Sequence, residues 1–216
     1  VALVLFALLA LLPVAVSLGL PPHWLTLVTR ALIFAIAALS LDLILGIGGL
    51  VSFGHAAFIG IGAYGTGILI TEGRPEALLI LPVILVACGV FAAVTGYVSL
   101  RTRGVAFIMI TLAFNQMLYY LFVSLQAYGG DDGLQILSTL TFAGRGFGGR
   151  EGFYYAALGV LAVVLVGATR LVDSRFGMVL RAAAQNERRM VALGVAPLPY
   201  RLAAFALSGA VAGLAG

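Results

Sequence analysis

The stretch from Ala31 to Ile70, ALIFAIAALSLDLILGIGGLVSFGHAAFIGIGAYGTGILI, decides what this chain can fold into. It holds eight glycines, and Asp42 and His55 are its only side chains that ionise near neutral pH. One bilayer crossing takes roughly 20 helical residues, so a stretch of this length crosses twice. Glycine weakens a helix in water, because it leaves the backbone too free. Inside a membrane it has a use, since it lets helix backbones approach closely. The segment predicts packed membrane helices, not a soluble core.

Composition extends that expectation to the whole chain. Charged residues make up 9% of it and hydrophobic residues 62%, against roughly 25% charged in soluble domains. The predicted fold class is all-α, a polytopic transmembrane helical bundle with no room for a sizeable soluble domain. All twelve basic residues are arginine. They form no basic face with interleaved aromatics, so nucleic acid is not an expected partner. Cys88 is alone in an apolar run, which leaves no disulfide or metal framework. The chain starts at Val1 and stops at Gly216 inside an apolar run. It reads as a single transmembrane domain over 1–216, truncated at its C-terminus.

Apolar spans alternate with short polar joints. Val1–Leu20 is uncharged and longer than the roughly 7–15 apolar residues of a signal peptide, so it reads as a first membrane helix. Further spans are expected at Trp24–Leu45, Val51–Ile70, Ala77–Leu100 and Gly104–Leu125. After a glycine-rich loop at 126–152 come a short span at Phe153–Thr169, an arginine-rich segment at 170–200 and a further span opening at Tyr200. The expectation is about six to seven spans. Arginines favour the cytoplasmic side. Placing 170–201 there puts Arg101, Arg103, Arg170, Arg175, Arg181, Arg188, Arg189 and Arg201 inside, with Arg74, Arg145 and Arg150 outside. Tyr119-Tyr120 and Tyr154-Tyr155 then fall near outer ends, where an aromatic belt is expected.

Asp42, Ser52, His55, Asn115 and Gln116 are candidates for a translocation path. Asp42 is costly to bury charged, so it either faces a polar interior or hydrates the glycine turn at Gly46–Gly49. Ser52 and His55 follow that turn, where a helix N-terminus either attracts a carboxylate or simply carries a polar cap. Asn115 and Gln116 lie mid-span and either glue helices or line a path. Small residues at Ser52, Ala56 and Gly60, then Ala63 and Gly67, recur every fourth position, and Gly209 and Gly213 make a true G-x-x-x-G. These predict helix-packing faces. The GGDDGL motif at 129–134 lacks calcium-loop spacing and reads as a tight turn.

The segment from Asp173 to Pro199 differs in kind. It is helix-compatible from Arg175 to Leu193, with Arg181, Gln185, Arg188 and Arg189 on one face, and Pro197 and Pro199 are expected to stop it. Framed by two spans, such a helix suits docking into a groove on a partner. No G-x-x-x-x-G-K-[ST] occurs, so ATP, if used, binds elsewhere.

Three stretches resemble a known family: LDLILGIGGLVSFGHAAFIGIGAYGTGIL (41–69), RTRGVAFIMITLAFNQMLYYL with YGGDDGL (101–134), and GMVLRAAAQNERRMVALGVAPLPYRLAAFALSGAVAGLAG (177–216). They resemble the branched-chain amino acid ABC transporter permeases of the LivM type. The resemblance implies an ABC importer permease fold in the bacterial inner membrane, with residues 170–200 as the cytoplasmic coupling loop. It also implies a second, LivH-like permease, two ATP-binding subunits that hold ATP and magnesium, and a periplasmic binding protein. The chain itself would then hold no cofactor and be no enzyme. The family's coupling motif runs E-A-A with a glycine soon after; here Glu187 is followed by two arginines, and Gly194 comes later. Arg181, Gln185, Glu187, Arg188, Arg189 and Gly194 are the expected coupling residues. The rival from another class is an ion-driven secondary transporter using Asp42 and His55.

Overall fold

The computed structural model describes residues 2–17, 19, 21, 23–73, 76–102, 104–130, 133–134, 141–142, 145–146 and 149–216. Asp131 and Asp132 of the GGDDGL motif, Arg74, Arg103 and Pro22 lie outside the described residues, as does the side chain of Arg145. The elements are α1 (Ala2–Ser17), α2 (His23–Asp42), α3 (His55–Thr71), α4 (Ala77–Ser99), α5 (Val105–Ser124), α6 (Gly149–Asp173), α7 (Arg175–Gln185), α8 (Glu187–Ala192) and α9 (Pro197–Ala215). A π-turn over Leu43–Ile47 continues α2. In the 126–152 segment a short pair of strands, Thr141–Phe142 against Arg145–Gly146, leaves the all-α class unchanged.

Among the described residues, five helices are long and apolar enough to cross a membrane: α2 with its π-turn, α4, α5, α6 and α9. The apolar helices α1 and α3 are shorter, at 16 and 17 residues. The third span is short because residues 48–54 are not helical; Leu50 N–H turns back to the Ile44 carbonyl. The sixth, expected at Phe153–Thr169, runs instead through Gly149–Asp173.

The centre of the bundle is α9, packed against α4, α3 and α2. Gly96 meets Leu202 and Phe205, Gly209 meets Ala92, and Gly213 meets Cys88, so α4 and α9 run antiparallel. A methyl built on Gly209 would lie 2.8 Å from Phe58 Cε1 and 3.0 Å from Ala92 Cβ. One built on Gly213 would overlap the Cys88 sulfur. The expected G-x-x-x-G face therefore is a close backbone approach, and Phe58, Cys88, Ala92, Phe107 and Phe205 fill the core around it.

On α3 the packing face differs from the expected one. Gly62 presses on the Gly213 carbonyl, and Phe58 sits one turn before it; Gly67 is also buried. Ala56 and Ala63 are exposed, Gly60 is half-buried, and Ser52 precedes the helix altogether. The stripe that meets α9, Phe58 and Gly62, is shifted around the helix from the expected one.

A second cluster joins α1, α2 and α6 through Leu25, Leu32, Ile36, Tyr154 and Leu158. Pro13 inside α1 has no N–H for the carbonyl of Leu9, four residues earlier. The Tyr154 hydroxyl donates to that carbonyl at 2.6 Å. Tyr154 is thus fully buried and is no membrane-belt residue, whereas Tyr119 and Tyr120 are exposed.

Candidate functional site

The polar candidates separate into three places. The first is a buried node where α2, α3 and α9 meet. His55, the first residue of α3, has its Nε2 2.7 Å from Ser208 Oγ, and Ser208 donates to the Ser40 carbonyl. A hydroxyl has one proton and a carbonyl only accepts. The proton on the His55–Ser208 bond therefore belongs to Nε2, and His55 is the donor. Its Nδ1 is buried with no hydrogen-bond partner among the described residues. Phe58 and Phe205 stand edge-on to the ring, at centroid distances of 5.7 and 6.4 Å. Ser52 is buried as well and accepts from the Gly54 N–H at 3.3 Å. Both side chains are engaged inside the protein.

The second place is an open groove of about 360 Å³ between α3 and α5. Ala56, Gly60 and Tyr64 line one side, and Asn115, Gln116 and Phe122 line the other. Tyr64 and Phe122 stack at 4.3 Å with their planes 1° apart. Asn115 is half-buried and Gln116 exposed, so neither glues described helices together. Asp42 is in neither place. It is exposed at the end of α2, its carboxylate lying over Gly46 in the π-turn.

The third place is the arginine-rich end. Ser174 caps α7, accepting from the Gly177 N–H, and Asn186 caps α8, accepting from the Arg189 N–H at 3.1 Å. Asn186 thus ends α7 and starts α8. The continuous helix expected over 175–193 is two helices, and Arg188 and Arg189 do not extend the α7 face of Arg181 and Gln185. Pro197 opens α9 at its first position, where its missing N–H costs nothing, so it does not stop the preceding helix. Arg181 donates to the Val172 carbonyl at 2.7 Å and to that of Gly177 at 3.4 Å, holding the α6–α7 corner. Gln185, Arg188 and Arg189 are exposed, and Gly194 takes a left-handed φ of 82° just after α8.

The sequence marks Arg201 only as one of the cytoplasmic arginines; the structure gives it more. It pairs with Glu187 at 2.8 Å and donates to the Ala183 carbonyl at 3.0 Å. One guanidinium thereby joins the end of α7, the start of α8 and the first turn of α9. A cavity of about 220 Å³ beside it reaches Gly49, Leu50, Thr102 and Phe107. Gly49 also touches Ala184. The joints after α2, α4 and α7 thus gather at one end.

A family model described as "Branched-chain amino acid transport system / permease component" matches residues 23–216. The chain is 27% identical over 212 aligned positions to the high-affinity branched-chain amino acid transport system permease protein LivM of Escherichia coli (strain K12). It has the same identity to the protein of that name from Salmonella typhimurium (strain LT2). Each alignment covers 87% of this chain and 50% of the relative, so the chain spans about half the length of these curated relatives. No solved structure matches. A multi-pass helical bundle matched from its second helix onward places the chain in the family of branched-chain amino acid transport system permease components.

Proposed function

We propose that this chain is a membrane permease subunit of an ABC importer that carries leucine, isoleucine, valine or a related small amino acid or amide into the cell. It would sit in the bacterial inner membrane with its arginine-rich end in the cytoplasm. Its partners would be a second, LivH-like permease, two ATP-binding subunits and a periplasmic binding protein. ATP and magnesium would be held by the ATP-binding subunits, and ATP hydrolysis would occur there. Membership of the branched-chain amino acid transport permease family supports that substrate class.

The observation that carries the mechanism is the α7–α8 shelf fastened to α9 by Arg201. Its outer surface exposes Met178, Val191 and Leu193 beside Arg188 and Arg189. Apolar side chains exposed next to basic ones, outside the spans, suit a partner groove with an acidic rim. Movement of the shelf would pass through Arg201 into α9, and from α9 into α4 and α3. Coupling residues then divide by task. Arg188 and Arg189 meet the partner, Glu187 transmits, and Arg181 holds the corner. His55, which an ion-driven carrier would use as its proton site, is bound to Ser208 in the buried node.

Co-purification of the complete transporter tests this reading. A co-purifying ATPase whose hydrolysis rises with substrate-loaded binding protein is expected, as is loss of that ATPase in Val191→Asp/Leu193→Asp. Uptake driven by an ion gradient without ATP would sink the proposal. Cysteine labelling in intact cells checks orientation: Ser174→Cys should be shielded from an impermeant reagent and Gly130→Cys open to it.

A further inference from the structure

Asn115 stands midway along α5, Gln116 follows it, and both amides line the α3–α5 groove. Neither makes a hydrogen bond among the described residues. An amide facing hydrocarbon at mid-bilayer is unfavourable, because lipid offers it no partner. Along the middle of α5 the exposed positions away from the groove, Met109, Leu112 and Met117, are apolar, and the exposed hydroxyls of Tyr119, Tyr120 and Ser124 lie towards its C-terminal end. The groove face is therefore the part of α5 built for something other than lipid. Its volume of about 360 Å³ lies within the range of about 300–1,000 Å³ of small-molecule sites.

The lining is chemically specific. An amide carries both an acceptor oxygen and a donor NH₂, so adjacent Asn and Gln can serve an ammonium and a carboxylate together. Ala56 and Gly60 leave room opposite them, and Leu118 and Phe122 add apolar wall. None of the lining residues is ionised. This suits passage, because a transit site must bind firmly enough to admit its cargo and weakly enough to release it. The stacked Tyr64–Phe122 pair lies at the end of the groove away from the arginine-rich end.

We propose that the α3–α5 groove is a transit site for a zwitterionic amino acid with an aliphatic side chain. The Asn115 and Gln116 oxygens accept from its ammonium, their NH₂ groups donate to its carboxylate, and its side chain lies over Ala56 and Gly60. This site rests on the import reading above and gives that reading a place in the chain.

The test uses the assembled transporter in proteoliposomes with its binding protein. Gln116→Cys and Gly60→Cys are treated with a hydrophilic methanethiosulfonate, with Met117→Cys, exposed outside the groove, as the lipid-side control. Reaction at Gln116→Cys and Gly60→Cys, slowed by leucine during turnover, is expected, with little reaction at Met117→Cys. Asn115→Ala/Gln116→Ala should lower leucine uptake about tenfold or more, the scale of lost hydrogen bonds to charged groups. Asn115→Gln/Gln116→Asn, which keeps both amides, should restore part of it. A parent that imports leucine while Gln116→Cys reacts no faster than Met117→Cys overturns the site, since a partner helix or lipid then covers the groove. Reaction without leucine protection also overturns it, leaving a water path without recognition. A parent that hydrolyses ATP but imports no aliphatic amino acid overturns the functional reading and the site with it.

Discussion

α9 and α5 are spans of nearly equal length, 19 and 20 residues, set in opposite surroundings. α9 buries Pro197, Ala204, Phe205, Ser208, Gly209, Ala212 and Gly213, and two of its polar side chains bond across to other elements: Ser208 in the buried node and Arg201 at the base. α5 buries only Phe107, Thr111 and Leu118, and its mid-span amides are left open. Hydrophobicity does not separate two such helices, because each is apolar enough to span. They differ in which side chains are small and which polar groups have partners. A helix whose glycines leave no space between it and its neighbours' side chains, and whose hydroxyl is bonded, holds the bundle together. A helix whose amides have no hydrogen-bond partner among the described residues is free to meet something else.

The sharpest way to break this comparison is to enlarge a glycine on each side of it. Gly213→Leu should cost about 3 kcal/mol or more, because the added side chain meets the packed Cys88 and Ile84. Little folded protein should survive thermal challenge in detergent. Gly60→Leu should cost under about 1 kcal/mol, since a methyl there touches Phe122 Cε2 at an ordinary 3.4 Å. Its effect should appear in uptake. Equal loss of folded protein in both variants would erase the distinction between seam and groove.

Arg201→Ala should come next. It removes hydrogen bonds to Glu187 and to the Ala183 carbonyl, worth about 1–3 kcal/mol once discounted for the partly exposed pair. Uptake should fall further than stability, with ATP hydrolysis no longer answering to substrate. Glu187→Arg with Arg201→Glu should recover part of the coupling in a double-mutant cycle.

Ser208→Ala should cost about 1–2 kcal/mol, read as a lower melting temperature, because His55 Nε2 and the Ser40 carbonyl lose their common partner. The smallest effect is expected at Met117→Ala on the outer face of α5, within about 0.5 kcal/mol and with uptake unchanged. A large loss of uptake there would show that the working face of α5 extends beyond the groove.

Much of the architecture was legible in the sequence. α4 and α5 lie within a residue of their expected bounds, because charged or glycine-rich joints interrupt unbroken apolar runs there. α6 extends past both ends of its expected span, since helix formation tolerates Gly149–Gly152 and Arg170–Asp173 where hydropathy does not. Periodicity in GIGAYG could not choose between the Ala56–Gly60 and Phe58–Gly62 stripes, as both repeat every fourth residue. Only the position of Gly213 across the interface decides between them. The break at Asn186 had a local signal, an N-cap residue followed by Glu187, which the arginine pattern obscured. The node was illegible for a different reason. Ser40, His55 and Ser208 lie in different spans, and nothing local in an apolar run says that a serine late in the chain will reach one near the start.

The α4–α9 seam also bears on the order in which the chain can be built. Ala92 and Gly209 are far apart in sequence, so α4 leaves the ribosome long before its partner exists. Until α9 arrives, the small-residue side of α4 has α3 beside it but lacks the helix against which it packs most closely. The shelf at 175–192 is likewise synthesised before Arg201, the residue that fastens it. Biogenesis is thereby sequenced: Arg181 can hold the α6–α7 corner as soon as α7 forms, but the shelf gains its Arg201 tie only once α9 has been made.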